Sequence, residues 1–295
     1  MLRKAQRGAV VTALQASITA NQDFNDQFNL DRDGTADLYL DTFDISVTET
    51  FTQELNLNVE RDTMSLVFGV FYMDDETSRH THFDNRQPIL GFPVPSMFDF
   101  KHDKMNTESE AYFADGTFDL SDRTRLSLGL RRTTDEFTSK QNNFISILMP
   151  APVVAAQTCD REVVTEYSST TSRAVIQHDL TSGSNVYASL SEGFKAGGYA
   201  TYECTEPYDP EEVTSLEFGY KGSLGENTSL NASLFRYDYT DFQVLQVVGI
   251  QTVTRNAGDA TVNGLELEAL SNLNDSLSMS YGLTLLDATY GEFLN

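Results

Sequence analysis

The chain alternates apolar and polar positions in twos along most of its length. Leu55, Leu57 and Val59 alternate with Glu54, Asn56 and Asn58, and Met64, Leu66, Phe68, Val70 and Tyr72 then take one residue in two. The rhythm returns in Tyr112, Ala114, Gly116, Phe118 and Leu120, in Leu126, Leu128 and Leu130, and in Val186, Ala188 and Leu190. It continues in Leu216, Phe218 and Tyr220 and in Leu277, Met279, Tyr281, Leu283 and Leu285. Successive side chains of a strand point to opposite faces, so each stretch predicts a strand with one apolar and one small or polar face; the 3.6-residue helical period does not recur. About eleven strands are predicted: 9–21, 45–60, 64–76, 105–120, 124–138, 163–180, 185–195, 211–223, 228–241, 255–271 and 276–291.

Their connections alternate as well. Short turns rich in Asp, Asn, Ser and Gly fall near 61–63, 121–123, 181–184, 224–227 and 272–275, and long loops near 22–44, 77–105, 139–162, 195–211 and 241–254. Tight turns at one end and long loops at the other are the habit of an outer-membrane barrel, and such a rhythm is unusual in a soluble sandwich. The predicted strands are longer than the soluble norm of about 5–6 residues and long enough for the roughly 9–11 tilted residues that span a bilayer. On this reading the apolar face meets lipid and the polar face lines a lumen. Tyr237, Tyr239 and Phe242 near strand ends fit an interfacial girdle, although the chain has no Trp.

Several segments carry a family resemblance. Ser191-Glu192-Gly193-Phe194-Lys195-Ala196-Gly197-Gly198-Tyr199 resembles the S-x-G-F-K-x-G-G signature of TonB-dependent outer-membrane receptors. Tyr208-Asp209-Pro210-Glu211 followed by Ser215-Leu216-Glu217-Phe218-Gly219-Tyr220-Lys221 is similar to the family's next strand. Asn256-Ala257-Gly258-Asp259-Ala260 with Gly264, Glu266 and Glu268 resembles its N-A-G-x-A-x-x-x-G-x-E-x-E strand. Leu286-Asp287-Ala288-Thr289-Tyr290 follows in order, and Phe51-Thr52-Gln53-Glu54-Leu55 with Gly69-Val70-Phe71-Tyr72 resembles the middle of the same barrel. The resemblance implies an all-β, antiparallel, up-and-down transmembrane barrel, here a partial one forming a single domain over 1–295. It also implies a receptor for energised uptake of a ferric siderophore or similar nutrient. The family's plug domain and its TonB-engaging box are not recognisable, and the chain stops before the family's terminal strand. The expectation is therefore an internal half-barrel that does not transport alone. A non-transport β-structural or adhesive surface protein, or a non-functional fragment, is the alternative.

Composition narrows the picture. A formal charge of −24 argues against nucleic-acid binding, which needs an excess of Lys and Arg. No uncharged apolar run of about 18 residues is present, which excludes a transmembrane helix and leaves a barrel open. Leu2-Arg3-Lys4-Ala5-Gln6-Arg7 and the short apolar run after it imitate a signal peptide, but Thr12 and Gln15 interrupt that run, so a strand beginning mid-protein is expected.

Candidate chemistry is non-catalytic. No nucleophile triad, phosphate loop or H-E-x-x-H occurs, so neither an enzyme nor a cofactor is expected. His80-Thr81-His82 with Asp84 and His102 is read as surface, and Asp31-Arg32-Asp33-Gly34-Thr35 lacks the distal Glu of a calcium loop, so no metal is expected. Arg125, Arg131, Arg173, Glu217, Lys221, Glu266 and Glu268 fall opposite the apolar positions and are expected to line the lumen, either as a solvated wall or as an acid–base ladder for the plug. Phe92, Phe98, Phe144, Lys195, Tyr199 and Tyr202, in extracellular loops, are the expected ligand contacts. Expected partners are outer-membrane lipid, a siderophore-like ligand and, for the full-length family only, the TonB complex.

The only two cysteines, Cys159 and Cys204, are compatible with one disulfide or two thiols on composition alone. Their predicted loops flank the hairpin 163–195, whose strands return to one rim, so an extracellular disulfide is expected. A closed loop of about 45 residues stabilises by on the order of 4 kcal/mol in the chain-entropy picture. The barrel assignment predicts extraction from outer membranes only by detergent, with faster gel migration before boiling than after; release by salt or carbonate contradicts it.

Overall fold

The computed structural model describes residues 11–31, 40–85, 96–147, 154–181, 183–199, 204, 207–248 and 251–291. The basic start at Leu2–Arg7, the 32–35 part of the calcium-like loop, Phe92 and Tyr202 lie outside them. The strands are β1 (Val11–Asp31), β2 (Leu40–Arg61), β3 (Met64–Asn85), β4 (Ser96–Ser121), β5 (Thr124–Ile147), β6 (Val154–Thr181) and β7 (Ser184–Lys195). They continue as β8 (Glu211–Leu224), β9 (Thr228–Thr240), β10 (Gln243–Val248), β11 (Gln251–Asn256), β12 (Ala260–Asn274) and β13 (Leu277–Tyr290). Eleven of them form one sheet in the order β1-β2-β3-β4-β5-β6-β7-β8-β9-β12-β13, antiparallel throughout, and β10 with β11 makes a separate hairpin. This is an up-and-down partial barrel wall.

Register carries the apolar stripe across the wall. Leu14 faces Leu57, Leu57 faces Phe68, Phe68 faces Ala114 and Ala114 faces Leu130. Further along, Phe218 faces Leu234, then Leu265, then Leu285. Leu14, Leu57, Phe68, Leu130, Phe218, Leu234 and Leu285 are all exposed. An apolar face this large is stable only against lipid. On β4 the outward positions from Tyr112 to Leu120 form the stripe, a nine-residue span matching one tilted crossing.

In the long loops expected at 22–44, 77–105 and 139–162 the described residues are strand, and in the 241–254 loop β10 pairs with β11. β6 has 28 residues, about 90 Å of extended chain and far more than a bilayer needs. The reason is that alternation persists with polar residues beyond the membrane. Thr81, Phe83 and Asn85 on β3 and Ser96, Phe98, Phe100 and His102 on β4 are buried on one face. Hydrophobicity had marked only the lipid-facing part of each strand.

Bending the wall requires close contacts on the polar face. Three aromatic rings lie over cross-strand glycines: Phe113 over Gly69, Tyr187 over Gly219 and Phe235 over Gly264. A Cβ on Gly264 would stand 2.2 Å from the Phe235 ring, which is itself buried and stacked on Tyr237 at 4.7 Å. Gly282 has nothing within 4 Å of its would-be Cβ. Gly264→Ala is therefore expected to lower stability by about 1–3 kcal/mol through overpacking. Gly282→Ala should be neutral or stabilising by about 0.5 kcal/mol. Urea unfolding of the two variants in lipid checks this; equal midpoints would contradict it.

Candidate functional site

Register puts Arg125, Arg131, Arg173, Glu217, Lys221, Glu266 and Glu268 on the polar face. Arg125 pairs with Asp179 at 3.0 Å, and Arg173 Nη2 reaches Asp115 Oδ2 at 2.6 Å. The Arg131 guanidinium sits 5.6 Å and 5.5 Å from the centres of the Phe71 and Phe113 rings and donates from Nε to Thr133 Oγ1. Across the wall, the Tyr187 hydroxyl donates to Glu217, and Lys221 Nζ stands 5.2 Å from the Tyr187 ring centre. Glu217, Lys221, Glu266, Glu268 and Asn231 line a polar recess of about 270 Å³. On the polar face, Arg125 and Arg173 are matched by Asp179 and Asp115, whereas Glu217, Glu266 and Glu268 outnumber Lys221 on β8 and β12.

The described residues between β7 and β8, 196–199, 204 and 207–210, form a strap against this face. Gly198 and Tyr208 exchange backbone hydrogen bonds of 3.1 and 2.8 Å, which closes its neck. Gly197 must lack a side chain, because a Cβ there would lie 2.3 Å from the Tyr208 carbonyl and 2.6 Å from the Tyr167 ring. Tyr167 donates to the Tyr208 carbonyl at 3.1 Å, and Tyr199 donates to Thr165 Oγ1 at 3.0 Å. The base is held from the other side. Gln243 Nε2 donates to the carbonyls of Ala196 and Asp209, each at 3.0 Å. Asn256 Nδ2 donates to the carbonyls of Asp209 and Asp241, and Asn256 Oδ1 accepts from the Asp209 amide. Gly258, two residues on, takes φ 91°, a conformation that favours glycine.

Cys159 and Cys204 are disulfide-bonded, with Cα atoms 5.5 Å apart. Cys159 belongs to β6 and is buried on the polar face, not part of a rim loop as expected. Cys204 belongs to the strap and is exposed. Between strap and wall lies a cavity of about 270 Å³, lined among others by Asp75, His102, Ser139, Gly198, Tyr199 and Tyr208. Ser139 is buried, and its Oγ has no hydrogen-bond partner. Burial pushes the Tyr208 phenol up from its ordinary value, so it stays a neutral donor.

His80 and His82 lie on the opposite face and share one acceptor: Asp99 Oδ1 is 3.1 Å from His80 Nε2 and 2.9 Å from His82 Nδ1. Asp84 is not their partner in these bonds, and His102 is on the other side of the sheet. Among the described residues no group of three or more His, Cys, Asp or Glu is arranged to hold a metal ion.

The sequence model of the family "TonB dependent receptor-like, beta-barrel" matches residues 6–294. The chain belongs to this family. It is an outer-membrane barrel wall whose apolar face meets lipid. Among solved structures it is similar to the ferric yersiniabactin uptake receptor FyuA from Yersinia pestis, with 20% identity and a TM-score of 0.68 over 97% of this chain and 40% of that one. It is similar to the ferric citrate transporter FecA, with 15% identity and a TM-score of 0.64 over 95% and 40%. It is also similar to the ferric-catecholate import receptor Fiu from E. coli K12, with 15% identity and a TM-score of 0.60 over 98% and 46%. These likenesses establish the fold, and the chain spans less than half the length of each. No curated protein matches the sequence significantly.

Of the six residues expected to contact ligand, the four described ones separate. Phe98 is buried in a cluster with Phe83 and Phe100, with Ile145 against it, so it is core. Phe144 pairs with Asp99 on the outer face, away from the lumen. Lys195 ends β7 on the inner face, paired with Glu211, and Tyr199 lines the cavity. Sequence reasoning missed Tyr167, Gln243 and Tyr208, and it assigned no role to Asn256 although the family motif contains it. The N-A-G spelling was the available signal; nothing local marks Tyr167 or Gln243.

Two predictions follow from these bonds. Asn256→Ala removes three hydrogen bonds at the strap's base at about 1 kcal/mol each at most. Amide exchange at Asp209 should rise by at least tenfold, and unchanged exchange would contradict the clamp. Asp99 stands about 43 Å of strand beyond Tyr112, outside the bilayer. Burial raises its pKa, but the hydrogen bonds and charge of His82 and His80 outweigh this and leave it below its ordinary value. Its stabilisation is therefore present above the ordinary carboxylate range and is lost as pH falls below about 4. Asp99→Asn should flatten that limb of an unfolding-midpoint profile between pH 3 and 6, and an unaltered profile would contradict the pairing.

Proposed function

We propose that this chain is part of the barrel of an energised uptake receptor for a ferric siderophore or a similarly large nutrient complex. The observation that carries the reading is the tyrosine-lined cavity between strap and inner wall, above the membrane crossing, where an entering ligand meets Asp75, His102, Ser139 and Tyr199. At about 270 Å³ it takes one arm of a large complex and not the whole. That FyuA, FecA and Fiu take up ferric yersiniabactin, ferric citrate and ferric catecholates supports the ligand class. Receptors of this kind move ligands and do no bond chemistry on them.

The charged residues of the polar face complete the reading. Arg125, Arg131 and Arg173 on one side and Glu217, Lys221, Glu266 and Glu268 on the other are the seat of a plug, through which the TonB complex would act on a full-length receptor. A lone wall leaves the outer edges of β1 and β13 without a neighbour among the described residues, and unpaired backbone groups in lipid cost several kcal/mol each. Transport by these 295 residues alone is not expected.

Binding can be tested directly. Titrating the detergent-solubilised chain with ferric citrate and with a ferric catecholate should give saturable tyrosine quenching for at least one complex. Tyr199→Ala should weaken it at least tenfold. Equal, non-saturable quenching by both complexes and by their iron-free ligands would end the ligand assignment.

A further inference from the structure

We propose that Arg132 and the apolar recess beside it form a seat for a phosphate-bearing membrane lipid, with the guanidinium on the lipid phosphate and an acyl chain in the recess. The proposal rests on the lipid-facing stripe alone and is independent of which nutrient the receptor takes.

Register fixes the level of Arg132. It stands opposite Tyr112 on β4 and Thr170 on β6, and the same rung continues through Val70 to Leu55. Residues directly opposite one another share a face of the sheet, so Arg132 belongs to the lipid-facing stripe. One rung toward the short turns the stripe is Leu57, Phe68, Ala114 and Leu130. One rung the other way stand Tyr72, Glu110 and Thr134, and the rung after that is Asp74, Glu108 and Glu136. Arg132 is therefore on the last apolar rung, where hydrocarbon gives way to headgroups and a long cationic side chain is tolerated.

Its charge is uncompensated. Arg132 is exposed, its Nη1 donates to Thr170 Oγ1 at 3.0 Å, and no carboxylate among the described residues pairs with it. Arg236, opposite Leu216 on the same face, differs: Asp238 accepts from its Nε and its Nη2, both at 2.7 Å. A guanidinium carries five N–H donors in a planar fork that matches two phosphate oxygens. Thr170 takes one of them.

The recess supplies the apolar half of the seat. It has a volume of about 500 Å³ and is lined by Leu14, Leu57, Phe68, Val70, Ala114 and Leu130, with Arg132 at its border. Ala114 makes the hollow, because its methyl group stands in register between the larger Phe68 and Leu130. Apolar hollow followed by cation is the complement of a lipid read from tail to head. A soluble phosphate is a poorer match. The chain carries a formal charge of −24, and Glu110 and Glu108 stand on the next two rungs, so an anion that buries no apolar surface is repelled. An acyl chain adds that burial.

Native mass spectrometry of the full chain in dodecyl maltoside micelles, titrated with dimyristoyl phosphatidic acid, tests this. A saturable adduct is expected. Arg132→Gln should weaken it at least tenfold, and Arg132→Lys at least threefold, because an ammonium lacks the fork. Ala114→Leu fills the hollow with the charge intact and should weaken it at least fivefold. Arg236→Gln should change it by less than twofold. Dimyristoylglycerol, which has the same chains and no phosphate, should bind at least tenfold more weakly, and excess inorganic phosphate should not displace the lipid. Faster gel migration before boiling checks that each variant is folded; if Arg132→Gln fails this, Arg132→Lys and the comparison of the two lipids decide. Equal affinity for the two lipids would show an apolar groove with no phosphate site. Unchanged binding in Arg132→Gln or Ala114→Leu would place the lipid elsewhere. An equal loss in Arg236→Gln would show general charge attraction, and displacement by inorganic phosphate would show a soluble-anion site. Each of these results, like the absence of any adduct, overturns the proposal.

Discussion

A strand in hydrocarbon has no water to satisfy its backbone, so each amide and carbonyl must find a partner on a neighbouring strand. That constraint orders the rest of this structure. It requires unbroken antiparallel pairing across β1 to β9, β12 and β13, and the pairing fixes register. With register fixed, a period of two sends Leu57, Phe68 and Leu130 to lipid and Asn56, Gly69 and Arg131 to the lumen. The aromatic–glycine contacts on the inner face are a consequence: a wall that must curve without losing hydrogen bonds needs positions where a ring can lie flat on bare backbone.

Above the bilayer the constraint relaxes, and the same strands behave differently. β2 to β6 continue pairing far into solvent, with a packed inner face and a strongly acidic outer one. Asp74, Glu108, Glu136 and Glu166 stand directly opposite one another in successive strands. Like charges facing across a sheet are unfavourable, and the row is tolerable only where water screens it. It also marks where the lipid-facing surface has ended, one rung beyond Tyr72 and Glu110.

The strap shows how a barrel wall becomes a site. Long connections are entropically cheap to lengthen but have no preferred position. Here the position comes from two distant places in sequence: β6, through Cys159, Thr165 and Tyr167, and the β9–β12 connection, through Gln243 and Asn256. The cavity exists because both hold the strap at once.

The sequence by itself determined the strand class, the apolar stripe and the placement of Arg125, Arg131, Arg173, Glu217, Lys221, Glu266 and Glu268 on the face opposite that stripe, because each follows from residue type and a period of two, and its motifs carried the family resemblance. It also made the cysteine pair recognisable, though not its place on the inner wall. Only the tertiary structure decided that 77–85, 96–105, 139–147 and 154–162 are strand, since polar alternation beyond the membrane looks like loop to a hydrophobic reading. It alone moved Phe98 into a core and Phe144 to the outer face, because those assignments depend on bulges and on cross-strand neighbours. And it alone brought Tyr167, Tyr199, Tyr208 and Asn256 together, since contacts between residues 34 to 47 positions apart are set by how the sheet closes them and by nothing local in the chain.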